Sequence, residues 1–233
     1  MSLQADLELI RGAAVEAGKL ALQARADGLK IWSKPGGSPV TDADIAVDIL
    51  LKLRLLAARP NYGWLSEETV DDPVRLSLPR LFVVDPIDGT AAYLKGKPWF
   101  TVCIAVVQAG QPTCAVVYAP ELDEMYEATV GGGAFLNGQP IRPSNATELE
   151  AANILGDARM FADPRWPQPW PPMRIEARNS IAYRVVQVAC VGDHRGLGFT
   201  YNRPAPMQRS LLCAAPSLQQ LILQRVSHID PPA

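Results

Sequence analysis

One stretch decides most of what this chain can fold into: Leu81-Phe82-Val83-Val84-Asp85-Pro86-Ile87-Asp88-Gly89-Thr90. It opens as a short apolar run, which reads as a buried strand. The run breaks at Asp85-Pro86, because proline has no N–H for the next ladder position. Asp85 and Asp88 set two carboxylates three positions apart, and Gly89 and Thr90 follow. A strand that ends in acids and enters a glycine turn gathers hard oxygen ligands and backbone N–H groups at one point. That arrangement suits a magnesium-held phosphate. Asp-Pro and Asp-Gly are also ordinary turn dipeptides, so the rest of the chain has to decide between a tight turn and a metal site.

The remaining composition narrows the metal. Only two histidines occur, His194 and His228, and the four cysteines, Cys103, Cys114, Cys190 and Cys213, form no C-x-x-C pair. The cysteines sit among apolar neighbours and read as buried free thiols. A metal site here must therefore be built mainly from carboxylates, which points to magnesium or manganese and away from zinc or copper. The formal net charge of −2 gives no electrostatic case for a nucleic-acid polymer or an anionic membrane. No apolar run approaches the roughly 18 residues of a membrane span. Met1–Glu8 lacks the basic-then-apolar pattern of a secretory leader, so a cytoplasmic location is expected.

In chain order, Leu7, Ile10, Ala14, Ala17 and Leu20 fall at helical spacing over residues 3–26. Gly28 and residues 34–39 read as loop. Thr41 can cap a second helix with Asp44 three residues later, and Ile45, Ile49, Leu53 and Leu56 are its expected buried stripe, with Pro60 at its end. Phe100–Gln108 and Thr113–Ala119 read as paired strands around Ala109-Gly110-Gln111-Pro112, and Met125–Thr129 as a further strand. Gly131-Gly132-Gly133 lacks the lysine and helix of a P-loop and reads as a tight turn. Asn137-Gly138 marks a type I′ hairpin.

Further on, the proline-rich run 163–172 reads as a surface loop anchored by Trp166 and Trp170. Ser180 is expected to cap a helix through about Val191. Leu211–Cys213 is a candidate strand. Ser217 and Gln220 are expected to form a capping box for a last helix from Leu218 to about Val226.

Upstream of the acidic turn lies Trp64-Leu65-Ser66-Glu67-Glu68-Thr69. Adjacent glutamates usually mean a solvated loop. Here they follow the short apolar segment Tyr62–Leu65. If that segment is a strand beside Leu81–Val84, the acidic ends of both converge. Like carboxylates brought together repel unless a cation sits between them.

Trp64–Thr69, Asp85-Pro86-Ile87-Asp88-Gly89-Thr90 and Gly131–Gly138, in that order, resemble the inositol monophosphatase family, which includes the bisphosphate nucleotidases. The likeness runs through about residue 145 and resumes at Arg178–Arg184 and at the final strand and helix. It implies an α/β fold, a layered α-β-α-β-α sandwich with an abbreviated C-terminal part. Residues 1–145 would form the metal- and phosphate-binding domain and 146–233 a shortened C-terminal domain. It implies a magnesium-dependent, lithium-sensitive phosphomonoesterase acting on a small phosphorylated metabolite, either inositol monophosphate or 3′-phosphoadenosine 5′-phosphate. Tyr93–Gly96 and Phe100–Val102 look nucleotidase-like.

Carried onto this chain, Glu67, Asp85, Asp88 and the Ile87 carbonyl would ligate Mg2+, with two or three ions expected. Gly89 and Thr90 would offer backbone N–H groups to the phosphate, and the Thr90 hydroxyl would orient the attacking water. Ser180, Ile181 and Ala182 would lie near the leaving group. A homodimer is expected on the same basis.

Two departures from the family pattern stand out. Ser38 replaces an aspartate that some members carry before the Val-Thr of the second helix. More seriously, the family places a Trp-Asp pair, whose aspartate is a further metal ligand, between the Ser180-type helix and the last strand. No Trp-Asp occurs in this sequence, and Asp193 is the only acid between Glu176 and Asp230. The expectation is a C-terminal deletion that weakens at least one metal site and lowers activity. The alternative is a catalytically inactive relative serving as a binding or interaction protein.

Overall fold

A computed structural model of the chain describes residues 2–34, 37–164, 166–178, 180–187, 190–192 and 212–226. The chain divides after Ile141 into two compact units.

The first unit begins with α1 (Leu3–Asp27), capped by the Ser2 hydroxyl, which accepts from the Ala5 N–H. Leu7, Ile10, Ala13, Ala14, Ala17 and Ala21 form its buried face. Small side chains at this spacing let a helix lie close on a sheet. β1 (Ile31–Ser33) and β2 (Pro39–Thr41) then pair antiparallel, so the region expected to be plain loop contains a short hairpin.

α2 (Asp42–Ala58) starts at the expected capping box, with Thr41 and Asp44 each bonding the other's backbone. Its buried stripe corrects the sequence expectation. Ala43, Val47, Leu51 and Leu55 face inward, whereas Ile49 and Leu53 are 52% and 69% exposed. Both sides of α2 are apolar, so periodicity cannot choose between them. The choice is made by Asp44 and Asp48, which share the inward face and find hydroxyl partners there.

β3 (Gly63–Ser66) leads through a 3₁₀ turn (Pro73–Ser77) into β4 (Arg80–Asp88) and the short helix α3 (Thr90–Leu94). β5 (Thr101–Gln108), β6 (Gln111–Ala119), β7 (Glu124–Thr129), β8 (Gly133–Leu136) and β9 (Gln139–Ile141) follow. These seven strands form one mixed sheet in the order β3-β4-β5-β6-β7-β8-β9, with β3 and β4 parallel and the other neighbours antiparallel.

The β5–β6 turn is tighter than expected. Ala109 and Gly110 both have positive φ (50° and 77°), as a two-residue hairpin requires. Pro112 is thereby drawn into β6, opposite Val107 at a register irregularity where a missing N–H is tolerated. Asn137 and Gly138, φ 49° and 75°, make the expected turn between β8 and β9.

Period-2 alternation directs Phe82 and Val84, Val102, Ile104 and Val106, and Cys114 and Val116 onto the helices, where they meet Ile10, Ala14, Val47, Leu51 and Leu55 in one core. A polar junction closes one end of that core. Fully buried Asp6 accepts from Arg59 Nε at 2.8 Å, from the Tyr62 hydroxyl at 2.8 Å and from Arg80 Nη1 at 3.3 Å. Cys103 and Cys114 are free thiols.

The second unit is built from short elements. β10 (Asn153–Leu155) pairs parallel with β11 (Arg174–Glu176), with α4 (Ala158–Phe161) between them in the chain. α5 (Ile181–Val186) is followed by β12 (Cys190–Gly192), which pairs antiparallel with β13 (Leu212–Ala214), and α6 (Pro216–Val226) comes last. Its core is small: Leu149, Ala152, Ala214, Ala215 and Leu218. Trp166 and Trp170 pack edge to face at 5.2 Å and anchor the proline-rich loop.

Two expectations are corrected in this unit. α5 stops at Val186, and the valine-rich sequence that follows reappears as strand at Cys190–Gly192, in keeping with the β preference of branched side chains. α6 begins at Pro216, whose fixed φ suits a first helical position. That places Ser217 inside the helix, where its hydroxyl donates to the Ala146 carbonyl instead of forming a capping box. Among the described residues no helix is long and apolar enough to cross a membrane. Asp193 lies outside the described residues.

Replacing Asp6 by alanine leaves Arg59 and Arg80 facing a buried gap without their carboxylate. The expected loss is ~3 kcal/mol of unfolding free energy, the range for breaking one side of a buried ion pair. Urea titration reads it directly, and a loss below ~1 kcal/mol would show that the junction carries little of the fold's stability.

Candidate metal and phosphate site

β4 does not end at Asp85. Asp85 pairs with Cys103 on β5 and Asp88 with Thr101, so Pro86 and Ile87 stand against Val102 alone. This is a one-residue bulge. In a regular strand, residues three apart point to opposite faces. The extra residue reverses that parity and returns Asp88 to the face that carries Asp85 and Cys103. Pro86 explains why the strand bulges here: a residue without an N–H is tolerated where the ladder is already interrupted. The same parity places Ile87 in the core, 2% exposed.

β3 brings the glutamates alongside. Its parallel register sets Ser66 beside Val84, and the Glu67 N–H donates to the Val84 carbonyl at 3.2 Å. The Glu67 backbone therefore arrives next to Asp85. Burial first, then the charges of Asp88 and Glu67, hold the Asp85 carboxyl well above the usual carboxylate range, and a hydrogen bond to Glu67 favours its protonated form further. The Cys103 thiol is pushed up by burial and by the same two aspartates.

Lys34 supplies a positive charge from the β1–β2 hairpin. Its Nζ donates to Glu68 Oε1 at 2.7 Å and to Glu67 Oε1 at 2.9 Å. Burial works against the ammonium, but the bonds to Glu68 and Glu67 outweigh it and its pKa is raised. Glu68 is raised by burial, against the pull of Lys34.

At the other edge, Gly89 occupies the left-handed region, φ 92° and ψ 35°, which a residue with a Cβ adopts only under strain. Its carbonyl accepts from the Ala92 N–H at 2.8 Å and the Tyr93 N–H at 3.1 Å, starting α3. The chain thus turns directly from the two aspartates into a helical turn, whose first amides have no partner within the helix itself. The Thr90 hydroxyl donates to the Ile87 carbonyl at 3.2 Å and lies 3.4 Å from Asp44 Oδ1. Asp44 is raised by burial, opposed by its bonds from Thr41 and Thr90.

The structure therefore gathers Glu67, Asp85, Ile87, Asp88, Gly89 and Thr90 at the adjoining ends of β3 and β4. Ser180, Ile181 and Ala182 belong to the second unit, where Ser180 caps α5 and its buried hydroxyl accepts from the Tyr183 N–H at 2.9 Å. Three residues at the site escaped the sequence reading. Asp44 was legible only as a cap and Asp48 not at all. The signal was their i, i+4 spacing among Val47 and Leu51, which puts two acids on an apolar face. Lys34 reaches Glu67 across 33 positions through the hairpin, and nothing in local sequence announces that.

The donor set is entirely oxygen, which fits a hard divalent cation. One positive charge already stands among the acids, the Lys34 ammonium between the glutamates, while burial and the neighbouring Asp88 and Glu67 raise the Asp85 carboxyl. Among the described residues no three acidic, histidine or cysteine side chains are gathered closely enough to hold a metal ion as they stand. The residues fit such an ion in their chemistry, and Lys34 competes with it for the glutamates.

Residues 3–194 match the sequence model of the inositol monophosphatase family. The chain is 34% identical over 174 residues to a histidinol-phosphatase of Chlorobaculum parvum, covering 74% of this chain and 66% of that protein. It is 35% identical over 151 residues to an inositol-1-monophosphatase of Mesorhizobium japonicum, covering 64% of this chain and 56% of that protein. The match thus spans between about half and two thirds of these curated relatives' lengths. Among solved structures, extragenic suppressor protein suhB from Bartonella henselae superposes with a TM-score of 0.79 at 21% identity, over 96% of this chain and 99% of that one. The Thermotoga maritima IMPase TM1415 does so with a TM-score of 0.79 at 21% identity, over 95% and 96%. At these identities the superpositions show a shared fold.

Asp85→Asn removes a buried carboxyl from beside Asp88 and Glu67. Its folded-state pKa is raised, so the carboxyl's contribution to stability is full at acid pH and is lost as pH rises through that value. In EDTA at about pH 7 the variant is therefore expected to be more stable than the parent, with the gain shrinking toward about pH 4. Thermal melts across that range in EDTA check the sign. A variant less stable than the parent throughout would contradict the placement of Asp85 among like charges.

Proposed function

The chain belongs to the inositol monophosphatase family, and on that footing we propose that it is a magnesium-dependent phosphomonoester hydrolase acting on a small phosphorylated metabolite. The observation that carries this reading is the bulge in β4, which turns Asp85 and Asp88 to one face beside Glu67. Glu67, Asp85, Asp88 and the Ile87 carbonyl would hold magnesium, which when bound supplies the Lewis acidity that lowers the pKa of water and neutralises phosphate charge.

The remaining work falls to this chain's own groups. The Gly89 and Thr90 amides bind phosphate oxygens where the chain turns into α3. The Thr90 hydroxyl, fixed between the Ile87 carbonyl and Asp44, positions the attacking water. As the attacking water gives a proton to the Thr90 oxygen, the hydroxyl's own proton turns from the Ile87 carbonyl to Asp44 Oδ1, 3.4 Å away, where burial favours the protonated carboxyl. Substrate candidates are inositol monophosphate and 3′-phosphoadenosine 5′-phosphate. Histidinol phosphate joins them through the relative from Chlorobaculum parvum. Turnover is slowed by the lack of a Trp-Asp pair anywhere in the sequence.

A second reading, a non-catalytic relative that binds its ligand without hydrolysis, is favoured by the same missing pair and by the open arrangement of the acids. The test is a phosphate-release screen of the purified chain on the three esters, each in magnesium and in EDTA, with lithium added to any positive. The hydrolase reading expects release from at least one ester, abolished by EDTA and reduced ~100-fold in Asp85→Asn, the scale for damaging a metal's ligand set. No release from any ester, with magnesium still bound by calorimetry, would support the non-catalytic reading instead.

A further inference from the structure

The segment that carries the two glutamates is tied at both ends to a single side chain. Asp48, on the inward face of α2 and 5% exposed, accepts at Oδ1 from the Ser66 hydroxyl and at Oδ2 from the Thr69 hydroxyl. Those two residues flank Glu67 and Glu68 directly. A hydroxyl has one proton to give, and in both bonds it is given to Asp48. That fixes their lone pairs in turn: Ser66 Oγ accepts from the Glu68 N–H at 3.3 Å, and Thr69 Oγ1 accepts from Trp64 Nε1 at 3.4 Å. One buried acid thus sets the direction in which these two hydroxyls bond along the inner side of a four-residue turn. Glu67 is left on the outer side, exposed, with its N–H on the Val84 carbonyl.

We propose that Asp48 is a positioning residue for the site: by clamping Ser66 and Thr69 it holds Glu67 and Glu68 beside Asp85 and so sets how tightly the site takes up a divalent cation. The cation part of this inference rests on the hydrolase reading above, and the clamp itself does not. Without the clamp, the turn must order itself when the ion binds, and that ordering lowers affinity. Residues that hold ligands from behind in this way matter nearly as much as the ligands.

The clamp is tested with Thr69→Val, which keeps shape and removes the hydroxyl at a half-buried position, and Thr69→Ser, which restores it. Magnesium titration calorimetry, run well below the unfolding temperature, is paired with amide hydrogen exchange at residues 67 and 68 in EDTA. The expected result is that Thr69→Val weakens magnesium binding about ten-fold and speeds exchange at both amides, while Thr69→Ser behaves as the parent. A role confined to stability would lower the melting temperature and leave magnesium affinity unchanged. That outcome overturns the proposal. If the parent chain itself binds no magnesium, the hydrolase reading fails, and the exchange data alone then decide: faster exchange in Thr69→Val upholds the clamp, and unchanged exchange removes it.

Discussion

Two carboxylates three residues apart on one strand should face opposite ways, and the extra residue at Pro86-Ile87 is what sets Asp85 and Asp88 on the same side. Everything distinctive about the first unit follows from accommodating the result. Like charges brought together in a partly buried place are unfavourable by themselves. The structure answers with positive charge and with donors: Lys34 stands between the glutamates and hydroxyls reach Asp44 and Asp48, while burial and its acidic neighbours raise Asp85. The apolar alternation of β4, β5 and β6 against α1 and α2 supplies the rigid support that keeps the acids from drifting apart.

This also explains the unusual inward face of α2. A helix with two apolar sides would ordinarily be free to choose either. Asp44 and Asp48 lie one turn apart on the chosen side, and each reaches a different part of the site: Asp44 the Thr90 hydroxyl, Asp48 the hydroxyls around the glutamates. The helix therefore links the Gly89–Thr90 turn to the glutamate turn through two hydrogen-bonded acids, at the cost of leaving Ile49 and Leu53 exposed to solvent. Packing and site geometry are the same arrangement seen from two sides.

How much of this was legible in the sequence depends on the range of the interaction that decides it. The capping box at Thr41, the Asn137-Gly138 turn and the strand at Leu81–Val84 are local, and local rules place them. The acidic site itself could be read from Glu67, Asp85 and Asp88, because strand ends followed by acids carry a physical meaning. The bulge was hidden: Pro86 signals a break, but only the register with β5 shows that the strand resumes one residue out of step. The α2 face and the Lys34 contact are tertiary choices among locally equal options. In the second unit the Ser217 cap failed because a proline one residue earlier offered a better helix start.

The claim at stake is that Glu67, Asp85 and Asp88 are assembled for a divalent cation and that Lys34 meanwhile bridges the glutamates. The most direct measurement is a crystal structure of the protein soaked in manganese, read through its anomalous signal. The account predicts a peak touching Asp85, Asp88 and the Ile87 carbonyl, with Glu67 turned from Lys34 toward the ion. A structure with no peak there, in which Lys34 still bridges Glu67 and Glu68, would contradict it.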